Sequence, residues 1–238
     1  MTSGRRPGTI FAMGGGGFSH DDDNNHLLDD YLLSLAETPR PRVCFLPTAS
    51  GDSDGYVERF LAAFPPTRAV ASVLPLFHRE AVDLRSEVLG QDIVYVGGGN
   101  TANLLAVWRI HGLDEVLAEA LRAGVILAGL SAGMNCWFEA SVTDSFGPGL
   151  KPLHDGLGLL PGSACPHYDG EERRPTYLDL VGRGALPGGF AVDDDCALVF
   201  HDGRLAEAVV ARPDARAYRV ERDSDRAIEH PVEVRGLY

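Results

Sequence analysis

The sequence contains no apolar run that approaches the roughly 20 residues needed to span a bilayer. Its N-terminal segment carries two arginines, Arg5 and Arg6, but only a short apolar patch before a run of glycines. That pattern is not typical of a signal peptide. We therefore expect a cytoplasmic protein without a membrane partner.

Basic residues are also scarce, with 21 lysines and arginines against 34 aspartates and glutamates, which gives a formal net charge of -13. A surface of that sign repels phosphate backbones and anionic lipids, so nucleic acid is a poor candidate partner. The four cysteines form no C-x-x-C pair, which argues against a zinc ribbon or a thioredoxin motif. We expect reduced, mostly buried thiols, no metal site and no cofactor.

Short, wholly apolar segments alternate with segments of helical periodicity, which is typical of parallel strands covered by helices on both faces. We predict one domain over residues 1–238, an α/β three-layer sandwich with a mostly parallel central sheet. An acidic run at 21–25 is predicted to be a solvated loop or a helix N-terminus. Predicted strands are 9–15, 42–50, 69–77, 92–99 and 124–130, and predicted helices are 25–37, 55–64, 100–110 and 113–123.

The pattern changes after Met134. Residues 141–166 are rich in glycine and proline and are predicted to be loop, a kind of segment that often builds sites. Further on, strands are predicted on either side of Asp202-Gly203, a dipeptide that favours a hairpin turn. The sequence leaves open whether 141–166 is a mobile lid.

Gly129-Leu130-Ser131-Ala132-Gly133 matches G-x-S-x-G and directly follows a predicted buried strand. Small residues beside the serine permit a sharp strand-to-helix turn that exposes its hydroxyl. Such short patterns also arise as ordinary glycine-rich turns. The position after a strand favours Ser131 as a nucleophile, with the backbone N–H of Ala132 beside it as an oxyanion donor.

Two further motifs fit the same chemistry. Gly97, Gly98 and Gly99 end an earlier strand, and either of the last two can supply a second oxyanion N–H, although a plain strand-to-helix turn is the alternative. A serine also needs a base and an acid that orients it. His167, at the end of the loop-rich stretch, is the favoured base. Candidate acids between Ser131 and His167 are Glu139, Asp144 and Asp155.

Taken together, VGGGNTANLL, AGLSAGMNCW and CPHYDGE resemble the peptidase E and cyanophycinase family, in matching order and with 167 − 131 = 36 positions from serine to histidine. The resemblance covers about residues 93–172. It implies a class I glutamine-amidotransferase-like fold and a serine peptidase that removes N-terminal aspartate from short peptides. Some members take β-linked Asp-Arg instead.

The resemblance also assigns residues. It implies Ser131 as nucleophile and His167 as base, with Asp144 as the acid and Glu139 in reserve. Substrate contacts are expected at five residues in or beside the matching motifs, namely Asn100, Tyr168, Asp169, Arg173 and Arg174. The two arginines can pair with a substrate carboxylate, or they can be surface charges that balance the glutamates before them.

Three other functions compete with this one. An esterase of the α/β-hydrolase type shares G-x-S-x-G but normally has its histidine much further along the chain. A binding or sensing member of the amidotransferase-like fold needs no intact Ser131 and His167. A true glutamine amidotransferase has cysteine at the turn, whereas Cys136 lies five positions later. The sequence does not fix the oligomeric state, and a homo-oligomer is compatible with it.

Overall fold

A computed structural model describes residues 7–19 and 26–238, which build two β-sheets with helices packed on them. The predicted acidic loop at 21–25 and the first residue of the helix predicted at 25–37 lie outside this range. The strands are β1 (Thr9–Met13), β2 (Arg42–Leu46), β3 (Val70–Val73), β4 (Ile93–Val96), β5 (Ile126–Leu130), β6 (Phe138–Thr143), β7 (Lys151–Leu153), β8 (Leu160–Cys165), β9 (Gly189–Val192), β10 (Cys196–His201), β11 (Arg204–Val210), β12 (Ala217–Asp223), β13 (Arg226–Pro231) and β14 (Arg235–Gly236). The helices are α1 (Leu27–Ser34), α2 (Asp54–Ala63), α3 (Leu84–Leu89), α4 (Thr101–His111), α5 (Leu113–Ala123), α6 (Ala132–Asn135) and α7 (Arg173–Gly182).

The first sheet has eight strands in the order β14-β11-β10-β1-β5-β4-β2-β3. The five from β1 to β3 in that order are parallel, as predicted, and β10 joins β1 antiparallel. Apolar side chains of one face pack against α1 and α2, and those of the other face pack against α3, α4 and α5. The α/β sandwich expected from the sequence is therefore confirmed.

A second sheet, in the order β13-β12-β9-β8-β6-β7, was not predicted. It packs on the first sheet through aromatic rings: the ring centroid of Phe200 in β10 lies 6.0 Å from that of Phe138 and 5.3 Å from that of Phe190. Helix α7 covers its other face with Tyr177, Leu180 and other apolar side chains. The chain thus builds one half of the molecule as helix–sheet–helix and the other half as sheet on sheet.

The prediction of loop for 141–166 was wrong over nearly half of its length, because β6, β7 and β8 occupy 12 of its 26 positions. Each of these strands is short, and glycines and prolines lie between and within them, so the residue pattern resembles loop until the strands pair. The hairpin at Asp202-Gly203 is confirmed, and both residues have positive φ, 48° and 76°, as a two-residue hairpin turn requires.

All four cysteines are free and buried, as expected. Within residues 7–19 and 26–238, no helix is both long enough and apolar enough to cross a bilayer.

Six aromatic rings form a cluster between the first sheet and α2. Phe45 of β2 stacks on Phe60 with centroids 4.5 Å apart, and Phe60 stacks on Phe64 at 4.7 Å. Phe18, Tyr56 and Tyr95 complete the cluster. It lies directly under the glycine turn after β4, since a Cβ added to Gly97 would come within 2.7 Å of the Tyr56 ring.

Phe60→Ala tests how much of the fold depends on this cluster. Phe60 is fully buried, so its truncation should lower the free energy of unfolding by about 3–5 kcal/mol. Its neighbour Leu61 is 43% exposed, and Leu61→Ala should change the free energy of unfolding by no more than about 0.5 kcal/mol. Urea titration of both variants measures these changes in the free energy of unfolding. Equal losses in the two variants would contradict a central role for the cluster.

Candidate active site

Ser131 occupies the sharp turn between β5 and α6, with φ 55° and ψ −113°. This backbone conformation is strained for any residue with a Cβ. The flanking glycines make the turn possible. A Cβ on Gly129 would lie 2.3 Å from the carbonyl oxygen of Gly133, and one on Gly133 would lie 2.4 Å from that of Val96. The N–H of Ser131 donates to the carbonyl of Met13 at 3.2 Å, which fixes the turn to the end of β1.

The glycine turn after β4 lies against Ser131, as expected from the sequence. A Cβ on Gly98 would be 3.4 Å from the Ser131 Cβ and 3.8 Å from its Oγ. The two amides proposed as donors differ, because the Gly98 N–H already donates to the Tyr56 hydroxyl at 3.1 Å. The N–H of Gly99, where φ is 136°, is then the better oxyanion donor of the pair.

Asn100 does not reach toward Ser131 but caps α4, where its Oδ1 accepts the N–H of Asn103 at 2.9 Å. Its Nδ2 donates to the carbonyl of Ser145 at 3.1 Å. The expected substrate contact is therefore replaced by two internal hydrogen bonds, which tie the glycine turn to the segment after β6.

His167 pairs with an acid that the sequence reasoning missed. Strands β8 and β9 are parallel neighbours, and His167 and Asp194 each lie two residues beyond the end of their strand. Their side chains therefore meet, with His167 Nδ1 2.5 Å from Asp194 Oδ1. His167 has a positive φ of 53°, and the two side chains are about 30% exposed (31% and 29%).

The two acids expected from the sequence lie elsewhere, so that prediction is corrected. Asp144 pairs with Arg173, with Oδ2 3.2 Å from the guanidinium. Glu139 accepts the N–H of Gly162 in the neighbouring strand at 2.9 Å. The acids expected from the sequence lie between the serine and the histidine, whereas the acid that contacts His167 follows it in the chain. The available signal was the DDD run directly after the apolar strand GFAV.

Ser131 and the His167–Asp194 pair converge on the end of β1. Ser131 hydrogen-bonds to Met13, and Gly15 lies two residues further along the chain. A Cβ on Gly15 would lie 2.8 Å from Cε1 of His167 and 2.1 Å from Oδ1 of Asp194. The first sheet therefore supplies the serine and the second sheet supplies the histidine, at one common point.

The other predicted substrate contacts have mostly internal partners. Tyr168 is buried, and its hydroxyl donates to Glu229. Arg174 also pairs with Glu229, at 2.9 Å, and lies over the Tyr168 ring. Asp169 accepts the backbone N–H of Asp194 at 3.1 Å. Of these three residues, Asp169 is the one bonded directly to a residue of the His167–Asp194 pair.

Arg173 differs from them, because its carboxylate partner, Asp144, is largely exposed, with 61% of that side chain accessible. The two residues line a cavity of about 540 Å³ together with Gly170. The N–H of Gly170 donates to the carbonyl of His167, so this cavity adjoins the histidine turn.

Cys136 is fully buried, and its thiol donates to the carbonyl of Gly133 at 3.2 Å. Burial raises the pKa of this thiol well above its ordinary value, which keeps it protonated and unreactive. The only side chain with nucleophile chemistry at the turn itself is the hydroxyl of Ser131.

The sequence and the fold are both similar to those of known peptidases. The model of peptidase family S51 matches residues 10–208. Over 229 residues the chain is 50% identical to the uncharacterized peptidase YgaJ of Bacillus subtilis strain 168, covering 96% of this chain and 98% of that protein. It is 34% identical over 128 residues to a peptidase E of Streptomyces coelicolor, a match to 53% of this chain that spans about half (51%) of that relative. A crystal structure of a peptidase from an acI-B1 actinobacterium shares the fold, with a TM-score of 0.67, 19% identity and coverage of 95% of this chain and 98% of that one.

Asp193, next to the acid that contacts His167, gives a prediction for stability against pH. It is buried, and burial is the main reason that its pKa is raised from 3.8 to about 6. Between these values the unfolded chain loses the Asp193 proton while the folded chain keeps it. Folding stability therefore falls as pH rises through this window and stays lower above pH 6.

Asp193→Asn removes this loss and keeps an oxygen that can accept the N–H of Arg216, now bonded at 2.9 Å. The variant should match wild type near pH 4 and exceed its free energy of unfolding by about 1–3 kcal/mol at pH 7.5. Urea midpoints at the two pH values measure the difference. An equal gain in the free energy of unfolding at both pH values would show that the charge of Asp193 does not cause the stabilisation.

Proposed function

The chain belongs to peptidase family S51, and we propose that it is a serine-type peptidase in which Ser131 is the nucleophile, His167 the base and Asp194 the acid that orients the base. One observation carries the proposal. The strained serine and the hydrogen-bonded His167–Asp194 pair come from different sheets, yet they adjoin the same strand end. A nucleophile elbow beside a base with its acid is the arrangement that acyl transfer requires.

In this mechanism His167 takes the proton of Ser131 as the hydroxyl attacks the scissile carbonyl. The hydrogen bond from Nδ1 to Asp194 leaves Nε2 as the nitrogen that accepts this proton. Asp194 stabilises the imidazolium that forms. His167 then protonates the leaving amine, and a water molecule hydrolyses the acyl-enzyme with the same histidine as base.

The developing oxyanion is held by the backbone N–H groups of Ala132 and Gly99. The first belongs to the opening residue of α6, where helical N–H groups have no partner within the helix. The second lies in the glycine turn, which the Tyr56–Gly98 hydrogen bond holds in place. Because both donors are fixed before the substrate arrives, they stabilise the transition state without reorganisation.

For the substrate, we infer short peptides that begin with aspartate. Arg173 lines the cavity beside the histidine turn and holds only the exposed Asp144, which a substrate carboxylate can replace. Arg174 already pairs with Glu229 and lies over the Tyr168 ring, so it is the poorer candidate for binding the substrate carboxylate.

Hydrolysis of Asp-Leu, Leu-Leu and β-Asp-Arg by wild type and Ser131→Ala tests this function. We expect wild type to cleave Asp-Leu alone, and Ser131→Ala to lose about 10³-fold or more of kcat. A Ser131→Ala variant with near-normal activity would rule out the mechanism. Cleavage of nitrophenyl esters but of no peptide would favour an esterase, and peptide binding without cleavage would favour a sensing role.

Asp194→Asn tests the assignment of the acid. The amide presents a donor as well as an acceptor and favours the wrong histidine tautomer, so kcat on Asp-Leu should fall by about 10²–10⁴-fold. Glu139→Gln is the matched control, since its amide oxygen can still accept the N–H of Gly162 and kcat should change little. If Glu139→Gln lowers kcat more than Asp194→Asn does, the assignment of Asp194 as the acid is wrong.

A further inference from the structure

Arg212 lies in the connection between β11 and β12, next to the DDD run, and its guanidinium contacts four aspartates. One nitrogen, Nη2, is 3.0 Å from Oδ2 of Asp169 and donates to the carbonyl of Asp194 at 3.3 Å. The other two nitrogens reach Asp195 at 3.4 Å and Asp214 at 2.9 Å. A single cation therefore contacts both the main chain of Asp194 and the side chain of Asp195, the residue that follows it.

The backbone of Asp194 is held on both sides by this arrangement. Its N–H donates to Oδ1 of Asp169, while its carbonyl accepts from Arg212, which is itself bonded to Oδ2 of the same Asp169 carboxylate. The contacts form a closed ring through Arg212, Asp169 and the Asp194 main chain. They fix the backbone and leave the Asp194 side chain to hydrogen-bond to His167.

The guanidinium offsets a local excess of negative charge. The carboxylates of Asp193, Asp194 and Asp195 lie between β9 and β10, with Asp169 and Asp214 close by, and like charges at such distances repel. Arg216 donates its backbone N–H to Asp193, but its guanidinium contacts only the carbonyls of Pro213 and Ala215.

The contribution of these ion pairs to overall stability is small. The side chain of Arg212 is 36% exposed, and exposed ion pairs typically contribute little to the free energy of unfolding. Their geometric effect is larger, because a shift of about 1 Å in a catalytic group can cost about 100-fold in rate.

We propose that Arg212 is a positioning residue that holds Asp194 in the place from which it orients His167. The proposal rests on the proposed function, since it assigns Arg212 to the same triad. Arg212 touches neither substrate nor the reacting atoms in this role.

The test compares Arg212→Gln and Arg212→Lys with the matched control Arg216→Gln. Asp-Leu hydrolysis gives kcat and KM separately, and the rate at which a fluorophosphonate probe labels Ser131 reports activation of the serine without a peptide. Arg212→Gln should lower kcat and the labelling rate about 10- to 100-fold, with KM within about twofold. Arg212→Lys, which keeps the charge but not the forked donors, should recover part of this loss. Arg216→Gln should resemble wild type.

Thermal unfolding separates positioning from folding. All three variants should remain folded at the assay temperature, with melting temperatures within a few degrees of wild type. An Arg212→Gln variant that keeps wild-type kcat and the wild-type labelling rate overturns the proposal. A variant whose loss of kcat equals the fraction of protein that is unfolded at the assay temperature also overturns it. If wild type itself neither labels nor hydrolyses, the proposed function has failed instead, and the assignment of Arg212 falls with it.

Discussion

The contact between Gly15 and Asp194 is the point on which the site depends. The chain leaves the second sheet at the end of β9 and enters the first at β10, and residues 193–195 make this crossing. At Gly15 the crossing segment pairs with the end of β1, and the N–H of Asp195 donates to the Gly15 carbonyl at 3.1 Å. Because no side chain separates the two backbones there, the histidine of one sheet can approach the serine of the other.

Much of the first sheet could be predicted from local pattern. Its parallel strands are mostly apolar, its helices have clear periodicity, and the turns at Ser131 and at the glycine run follow buried strands. Local chemistry dictates these features, since a strand that must turn sharply into a helix requires small residues beside Ser131. The second sheet gave no such signal. Four of its six strands, β7, β8, β9 and β13, contain glycine or proline, and the sheet is recognisable only once the strands pair with each other and pack on Phe200.

The site was predictable to the same extent. Ser131 and His167 lie in compact motifs that the sequence displays, whereas Asp194 is 194 − 167 = 27 positions from the histidine and becomes its neighbour only through the pairing of β8 with β9. Residue type alone did not reveal the internal partners of the expected substrate contacts. Tyr168 and Asp169 follow the histidine in the motif, and in the turn after β8 the first is buried in the core while the second accepts the Asp194 amide.

The bridge at Gly15 also constrains when the site can exist. Its two halves are 194 − 15 = 179 positions apart, so they meet only after a long loop has closed, a step that carries an entropic cost and is slow for contacts of high sequence separation. Each sheet can gain structure from nearer pairings before that step. On the ribosome, the segment with Asp194 emerges well after the strand with Ser131. The proposed triad is therefore completed late, as one of the last products of assembly of the chain.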